Sequence, residues 1–543
     1  MNNLGGRGNV MKNAAGKIGR NRKGRRAVLW VVTLIVSFQV LGWFLFSMAT
    51  PVPVEAKTFI VTSTLDETDA NPGNGICTTA SDTCTLRAAI QEANALDGPD
   101  SIKLKTGLYM LTIAGISENG CATGDLDITD SLTIIGTGAK NTFINAGKID
   151  RVFHSMGNVA VKMTNVTIQN GLATDEGGSE AFGGAILNEG GTLKITASTL
   201  SNNAAFADMV WGGAIYSQSG EVTVGKSIIS NNLARGITQS VGGGVSINGA
   251  TLTIKGSTLS MNSALGVGVD ATSWGGGIWL KGGFVTVEKS TISNNVAGGS
   301  YVGHGGGICN EDGTLTVTGS TISNNSAGGP SSGYGGGIRN MDTATVTGST
   351  ISNNSALGMG GSAQGGGIYN DGTLTVTGSK IYNNSALGVD DVSGGGISNV
   401  YLTLTVTGST ISNNSATAMA GLGAGGGISI NGATLTIKGS TLSNNTASGS
   451  ESSWGGGICS QSSDVTVDSS TISGNAASGM PGPGFGGGIS HMGNTPLTVQ
   501  NRSKIIKNLA STVGGGIYID IYDWSSSTDS TVAGNMPDDI VYD

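Results

Sequence analysis

The chain has 543 residues, 93 of them glycine, with 12% charged residues and a formal net charge of −8. Glycine at this density, set among β-branched runs, excludes helical repeats. Eight of the 28 basic residues fall within the first 26 positions, so removing residues 1–56 leaves 20 basic and 35 acidic residues, a net −15 that excludes nucleic acid and anionic membrane surfaces as partners.

Residues 1–26 carry basic side chains from Arg7 to Arg26 and no acid, and an apolar run of 23 residues follows, Ala27 to Ala49. Basic flank, apolar core and the small residues Ala49 and Ala56 read as an export signal. The run is also long enough to span a bilayer as an uncleaved anchor. Under either reading the basic end stays inside and everything beyond Ala56 is exported. The expected location is therefore secreted or at a bacterial cell surface, with membrane contact only through residues 27–49 if they are retained.

Residues 57–100 read as a cap. Lys57 to Thr64 predicts an opening strand, and Cys84 to Leu96 predicts a short helix with Leu86, Ala89, Ile90 and Ala93 on its apolar face and Arg87, Gln91 and Glu92 opposite. Such a helix covers the open end of a solenoid and blocks edge-to-edge association. Cys77 and Cys84 flank one loop, and in an exported protein a disulfide between them is expected to pin the cap. Residues 101–182 hold irregular strand-like stretches, Ile102–Thr112, Leu126–Ile135 and Val159–Asn170.

NPGNGIC and CTLRAAIQEANAL within Asn71–Leu96, with GDLDITDSLTIIGTGAKNTFINA at Gly124–Ala146, resemble the CSLREA-type N-terminal domain, although Thr85 and Ala88 replace its usual Ser and Glu. The GGAI copies ending at Ile186 and Ile215 resemble the repeats of polymorphic outer-membrane adhesins, with Ile-Ser-Asn-Asn in place of Phe-x-x-Asn and without their translocating barrel. The resemblance implies an exported bacterial right-handed parallel β-helix and assigns no activity.

Residues 183–517 are organised by a recurring unit, seen cleanly from Gly335 to Ala356 as GGGIRNMDTATVTGSTISNNSA. The Ile or Val closing each glycine cluster recurs twelve times, from Ile186 to Ile517, at spacings of 28 to 33. A period of this length marks a solenoid. In Thr373–Thr377 polar and apolar residues alternate, placing Leu374 and Val376 on one face. STISNN alternates as well, and GGGIxN supplies a third short strand. Three strands per copy predict an all-β parallel β-helix of about 14 rungs, with some ten residues per copy, such as Ser385–Ser393, looping out. The second Asn of each pair, Asn203 through Asn508, is expected to stack as a hydrogen-bonded ladder. Residues 518–543 hold one further ending, Ser530–Asn535, and no glycine cluster.

Three features bear on function. Trp211, Trp274, His304, Tyr334, Trp454 and Phe485 form an aromatic column just before the glycines, suited either to sugar or protein contact or to packing the loops on the rod. Gln364, Ser393 and Ala424 interrupt it. Asp312, Asp342 and Asp371, with Arg339 nearby, would stack as a carboxylate column if the chain were a polysaccharide lyase or hydrolase, but Asn-Asp-Gly equally suits a tight turn. Cys309 and Cys459 lie too far apart along the coil to bond, Cys121 has no evident partner, and the scattered His154, His304 and His491 support no metal site. The expectation is a non-enzymatic, adhesin-like rod presenting stacked loops to surface glycans or proteins, with no cofactor, and a structural envelope component as a further alternative.

Overall fold

The computed structural model describes residues 56–116, 118–174, 179–479, 481–520, 524–526 and 529–542. The basic end and the apolar run 27–49 lie outside the described residues; among those described, no helix is long and apolar enough to cross a membrane.

The chain winds into a parallel β-helix with three sheets of 29, 15 and 21 strands. The 15-stranded second sheet takes one strand from each rung, which gives about 14 complete turns. One rung shows the pattern. Ile338–Asn340 and Thr343–Thr347 lie in the first sheet, Thr350–Ser352 in the second, and Ser355–Gly358 with Ala363–Gln364 in the third. Each pairs in parallel with its counterpart one unit on, Ile338 with Ile368, Thr350 with Lys380 and Ser355 with Ser385.

This corrects two expectations. GGGIxN and TLTVT share one sheet rather than making two faces, and the stretches expected to loop out form the third wall. Their small residues, Ser-Ala-x-Gly, carry little apolar signal, but the methyls of Ala356 and Ala386 are fully buried and the neighbouring rungs supply the backbone partners. The stacked loops expected to meet a ligand are therefore largely strands.

The core is a set of aliphatic columns. Ile338, Val346, Ile351 and their equivalents through the regular repeats are at most 1% exposed, each burial stabilising by about 1.5–3 kcal/mol. Between the second and third sheets the first Asn of each pair turns the chain at φ near +55°, as at Asn353 and Asn383. The second Asn donates from Nδ2 to the Oδ1 of the next, Asn354 to Asn384 at 3.0 Å and Asn384 to Asn414 at 3.0 Å. The ladder starts where Asn203 Oδ1 accepts from Gly171 N–H and stops where Asn535 donates to the Asp539 carboxylate, 3.0 Å away. A serine ladder runs along another corner, Ser349 N–H donating to Ser379 Oγ at 3.1 Å and Ser379 N–H to Ser409 Oγ at 3.1 Å.

The third corner is the glycine cluster. Gly335 has φ +66°, and a Cβ on Gly336 would lie 2.4 Å from the Gly366 carbonyl oxygen, so backbone meets backbone there and no side chain fits.

At the N-terminal end a helix, Leu86–Asn94, is capped by the Thr85 side chain, which accepts from Ala88 N–H. Its polar face is not solvated, as the periodicity suggested. Arg87 and Glu92 are both fully buried, because the preceding loop wraps over them. Arg87 pairs with Asp66 at 2.7 Å and donates to the Gly124 carbonyl at 2.8 Å, while Glu92 accepts from Gly73 N–H at 2.6 Å. Cys77 and Cys84 are disulfide-bonded, with Cα atoms 5.2 Å apart.

Candidate functional site

Two outward columns flank the glycine corner. One holds the last residue of the third-sheet strand, from Phe182 to Phe485; the other holds the residue after each closing isoleucine, such as Arg339, Tyr369 and Ser398. Outward side chains on either side of a convex corner diverge. Here they touch: Tyr334 meets Tyr369 at 5.2 Å between ring centroids, Ser393 Oγ lies 3.1 Å from Ser398 Oγ, and Phe485 meets Tyr518 at 5.2 Å. The corner is concave, and a groove runs along it.

In its middle section the groove is filled. Trp274 packs on His304 at 4.1 Å, His304 on Tyr334 at 5.3 Å, and the Arg339 guanidinium lies 4.6 Å over Trp274. Burial first, and then Arg339, holds His304 well below its ordinary pKa, so the imidazole is neutral. Burial pushes the Cys309 thiol up to about 12, which leaves it unreactive. Trp211 is stacked on Phe182 at 5.1 Å in the same way. These rings spend their faces on one another.

Farther along, the interruption of the aromatic column opens a cleft of about 450 Å³, with Gln364, Ser393 and Ala424 on one bank and Ser398, Ser429 and Cys459 on the other. Trp454 closes its far end. That ring is stacked on Phe485 at 4.2 Å and an 18° interplanar angle, meets Tyr518 edge-on at 5.6 Å, and donates from Nε1 to Ser452 Oγ at 2.6 Å. One face is thus backed and the rotamer held, while the other face looks along the cleft.

The carboxylates expected to stack do not form one column. The ladder amides of Asn310, Asn340 and Asn370 donate to the carbonyls of Gly313, Asp342 and Gly372. Asp342 therefore shares its register with glycines, and Asp371 lies opposite Met341. The extra residue in the Glu311-Asp312-Gly313 turn puts Asp312 out of line, and Asp342 is second in its two-residue turn whereas Asp371 is first. Arg339, taken up by Trp274, is turned into the groove; burial raises the Asp371 pKa and Arg339 only partly opposes it.

Sequence reasoning missed a second cluster, at the N-terminal end of the groove. Leu126 pairs with Phe153 and Phe153 with Ile186, so Asp150-Arg151-Val152 occupies the positions of Gly183-Gly184-Ala185, and Asp127 and His154 begin the column that later holds Arg339. Asp125, Asp127 and His154 place their polar atoms within 4.8 Å of one another. Arg151 lies 3.3 Å from Asp125, and His154 bridges Asp127 at 3.4 Å and Glu189 at 3.2 Å. Burial lifts the Asp125 carboxyl to about 7 against the pull of Arg151. Burial also works against charge on His154, but Asp127, Asp125 and Glu189 outweigh it and its pKa is raised. The cluster lines a cleft of about 430 Å³ with Glu118, Glu180 and Phe182. Arg151 and His154 bring positive charge to these carboxylates, and the spacing of Asp125, Asp127 and His154 also suits a cation, which the scattered histidines of the sequence did not suggest. Charged residues at glycine positions were the available signal, hidden because spacing is irregular in these rungs.

A family model described as a right-handed beta helix region matches residues 276–451. No curated protein matches the chain by sequence. Among solved structures, the A-module of the Azotobacter vinelandii mannuronan C-5 epimerase AlgE6 is 14% identical at a TM-score of 0.31, over 84% of this chain and 95% of that one. The AlgE4 A-module of the same organism is 14% identical at 0.31, over 86% and 98%. A chain in the Vag8–C1 inhibitor complex is 13% identical at 0.31, over 90% and 99%.

Proposed function

We propose that this chain is an exported, adhesin-like β-helix that holds a glycan along its corner groove at or beyond a bacterial surface. The observation that carries the reading is the groove itself: a concave corner on an otherwise regular rod, open between Tyr369 and Trp454 and lined there by an aromatic ring, hydroxyls and amides rather than by one sign of charge. The basic-then-apolar N-terminus supports export, and the net −15 of the remainder disfavours anionic surfaces.

A second reading, a polysaccharide-cleaving enzyme, is favoured by one observation only. Asp125, Arg151 and His154 join acid, base and cation within one cleft, and the pKa values of Asp125 and His154 are both raised. The Asp312, Asp342 and Asp371 turns do not support it.

The test is incubation of the protein with a panel of polysaccharides, with and without Ca²⁺, following both retention of protein and appearance of new chain ends. Retention on intact polymer is the expected result. New ends that vanish in His154→Ala and Asp125→Asn would replace the adhesin reading with the enzyme. Neither retention nor new ends would end the glycan reading in favour of a protein ligand or a structural coat.

A further inference from the structure

The open stretch of the groove between Tyr369 and Trp454 spans three rung steps, about 14 Å at the β-sheet spacing. Resting on the reading of the groove as a glycan site, we propose that this gap is the seat, and that it takes neutral pyranose units of a polysaccharide rather than uronic or sulfated ones. Both halves of the assignment come from what lines the gap.

Trp454 supplies a platform. Its far face is occupied by Phe485 and its Nε1–H by Ser452, so the ring is ordered before any ligand arrives, and the face toward Ala424 has only a methyl group in front of it. An apolar sugar face laid on such a ring leaves water at little ordering cost to the protein. The same rungs in the middle of the groove cannot serve, because their rings are stacked on one another and under Arg339.

The polar complement is hydroxyl and amide. Ser393 faces Ser398 and Ser429 across the gap, and Gln364, Asn431 and Gln461 also line it. These groups both donate and accept, as sugar hydroxyls do. No Lys or Arg lines the gap, and its one charged residue is Asp391, whose Oδ1 is already held by Leu422 N–H at 3.0 Å. A carboxylate or sulfate brought there would meet a like charge and no cation.

An extended peptide fits less well for a separate reason. Ile397–Val400 is paired on both sides, with Ile368 and Ile428, and Val392–Ser393 is paired with Ala363–Gln364 and Gly423–Ala424. No free strand edge is offered for backbone hydrogen bonding.

The experiment measures binding of cellohexaose, N-acetylchitohexaose and hexagalacturonate to the full chain by titration calorimetry. At least one neutral oligosaccharide is expected to bind and hexagalacturonate is not. Trp454→Ala should weaken the neutral ligand about tenfold or more, and Trp454→Phe should retain most of the affinity. Ala424→Leu fills the gap while leaving Trp454 in place, and should weaken binding independently. If the wild-type chain binds but Trp454→Ala and Ala424→Leu bind equally well, the seat lies elsewhere and the groove reading stands. Preference for hexagalacturonate would overturn the neutral class. Absence of binding to all three would remove the seat and the glycan reading together.

Discussion

The same corner is built twice in this molecule by opposite means. From Gly183 onward it is glycine against glycine, with a hypothetical Cβ on Gly336 only 2.4 Å from the next rung's carbonyl oxygen. In the rungs before it, Asp125, Asp150 and Arg151 stand at the corner, and Asp125 and Arg151 line the groove there. The regular corner minimises what must be desolvated, whereas the early corner buries several charges that folding alone does not need. Regularity here is a backbone requirement, and the departures from it are where chemistry concentrates.

The sharpest way to break the contrast is to put a side chain where the regular corner forbids one. Gly336→Val should cost about 3–5 kcal/mol in urea unfolding, because rigid backbone on both sides leaves nowhere for the branch to go. Arg151→Ala, at the matching place in the early rungs, should leave the backbone turn intact; equal losses for the two would mean that the corners do not differ as described.

The Asn ladder, which begins at Asn203 on the regular side of the comparison, ranks next. Asn384→Ala removes the acceptor for Asn354 N–H and Nδ2–H, both at 3.0 Å in the rod interior. A loss of about 2–3 kcal/mol is expected from buried donors left unpaired, and a loss below about 0.5 would show that water replaces the amide.

The charged early rungs should lose stability as pH rises. The Asp125 carboxyl titrates near 7 when folded, above its usual unfolded range, so its contribution favours the folded state at low pH and is lost as pH rises from about 4 to 7. His154 is also raised, so the stability it adds is complete below about pH 6.5 and fades as pH passes its folded value. Both act in one direction. Amide exchange at Leu126 and Phe153, corrected for intrinsic rates, should lose about 1–2 kcal/mol of protection between pH 5 and pH 8, while Ile411 and Ile428, far from any displaced group, should not change. Asp125→Asn should flatten the part of that dependence due to the carboxyl.

On the outer face, Thr375→Ala should stay within about 0.5 kcal/mol of the parent in the same unfolding experiment, since the threonine row neither fills the core nor closes a ladder. A larger loss would give that row a structural part it lacks here.

What could be read from the residues follows the same division. The closing isoleucines, the TLTVT alternation and the second asparagines were legible, because identical neighbours at one period can satisfy each other in only one stacking. The third sheet was not, since Ser-Ala-x-Gly resembles a loop until parallel partners on both sides are considered. The aromatic column was visible, but its interruption at Gln364, Ser393 and Ala424 read as weakness. In three dimensions the interruption is the opening, because the opposing Ser398 and Ser429 are small as well. The Asp125–His154 cluster stayed hidden because its members share a register that only strand pairing reveals.

The asparagine ladder has one further consequence. Every internal amide gives to the next and takes from the one before, so the row has just two ends, Gly171 N–H and the Asp539 carboxylate. Copying a whole unit creates no new end. Reach then becomes a heritable variable independent of stability, open to unequal recombination between near-identical repeats. An in-frame duplication of residues 338–367 should lengthen the rod by about one rung, about 4.8 Å, without lowering its unfolding midpoint. A duplicated chain that unfolds earlier would show that length is fixed by something beyond the repeat.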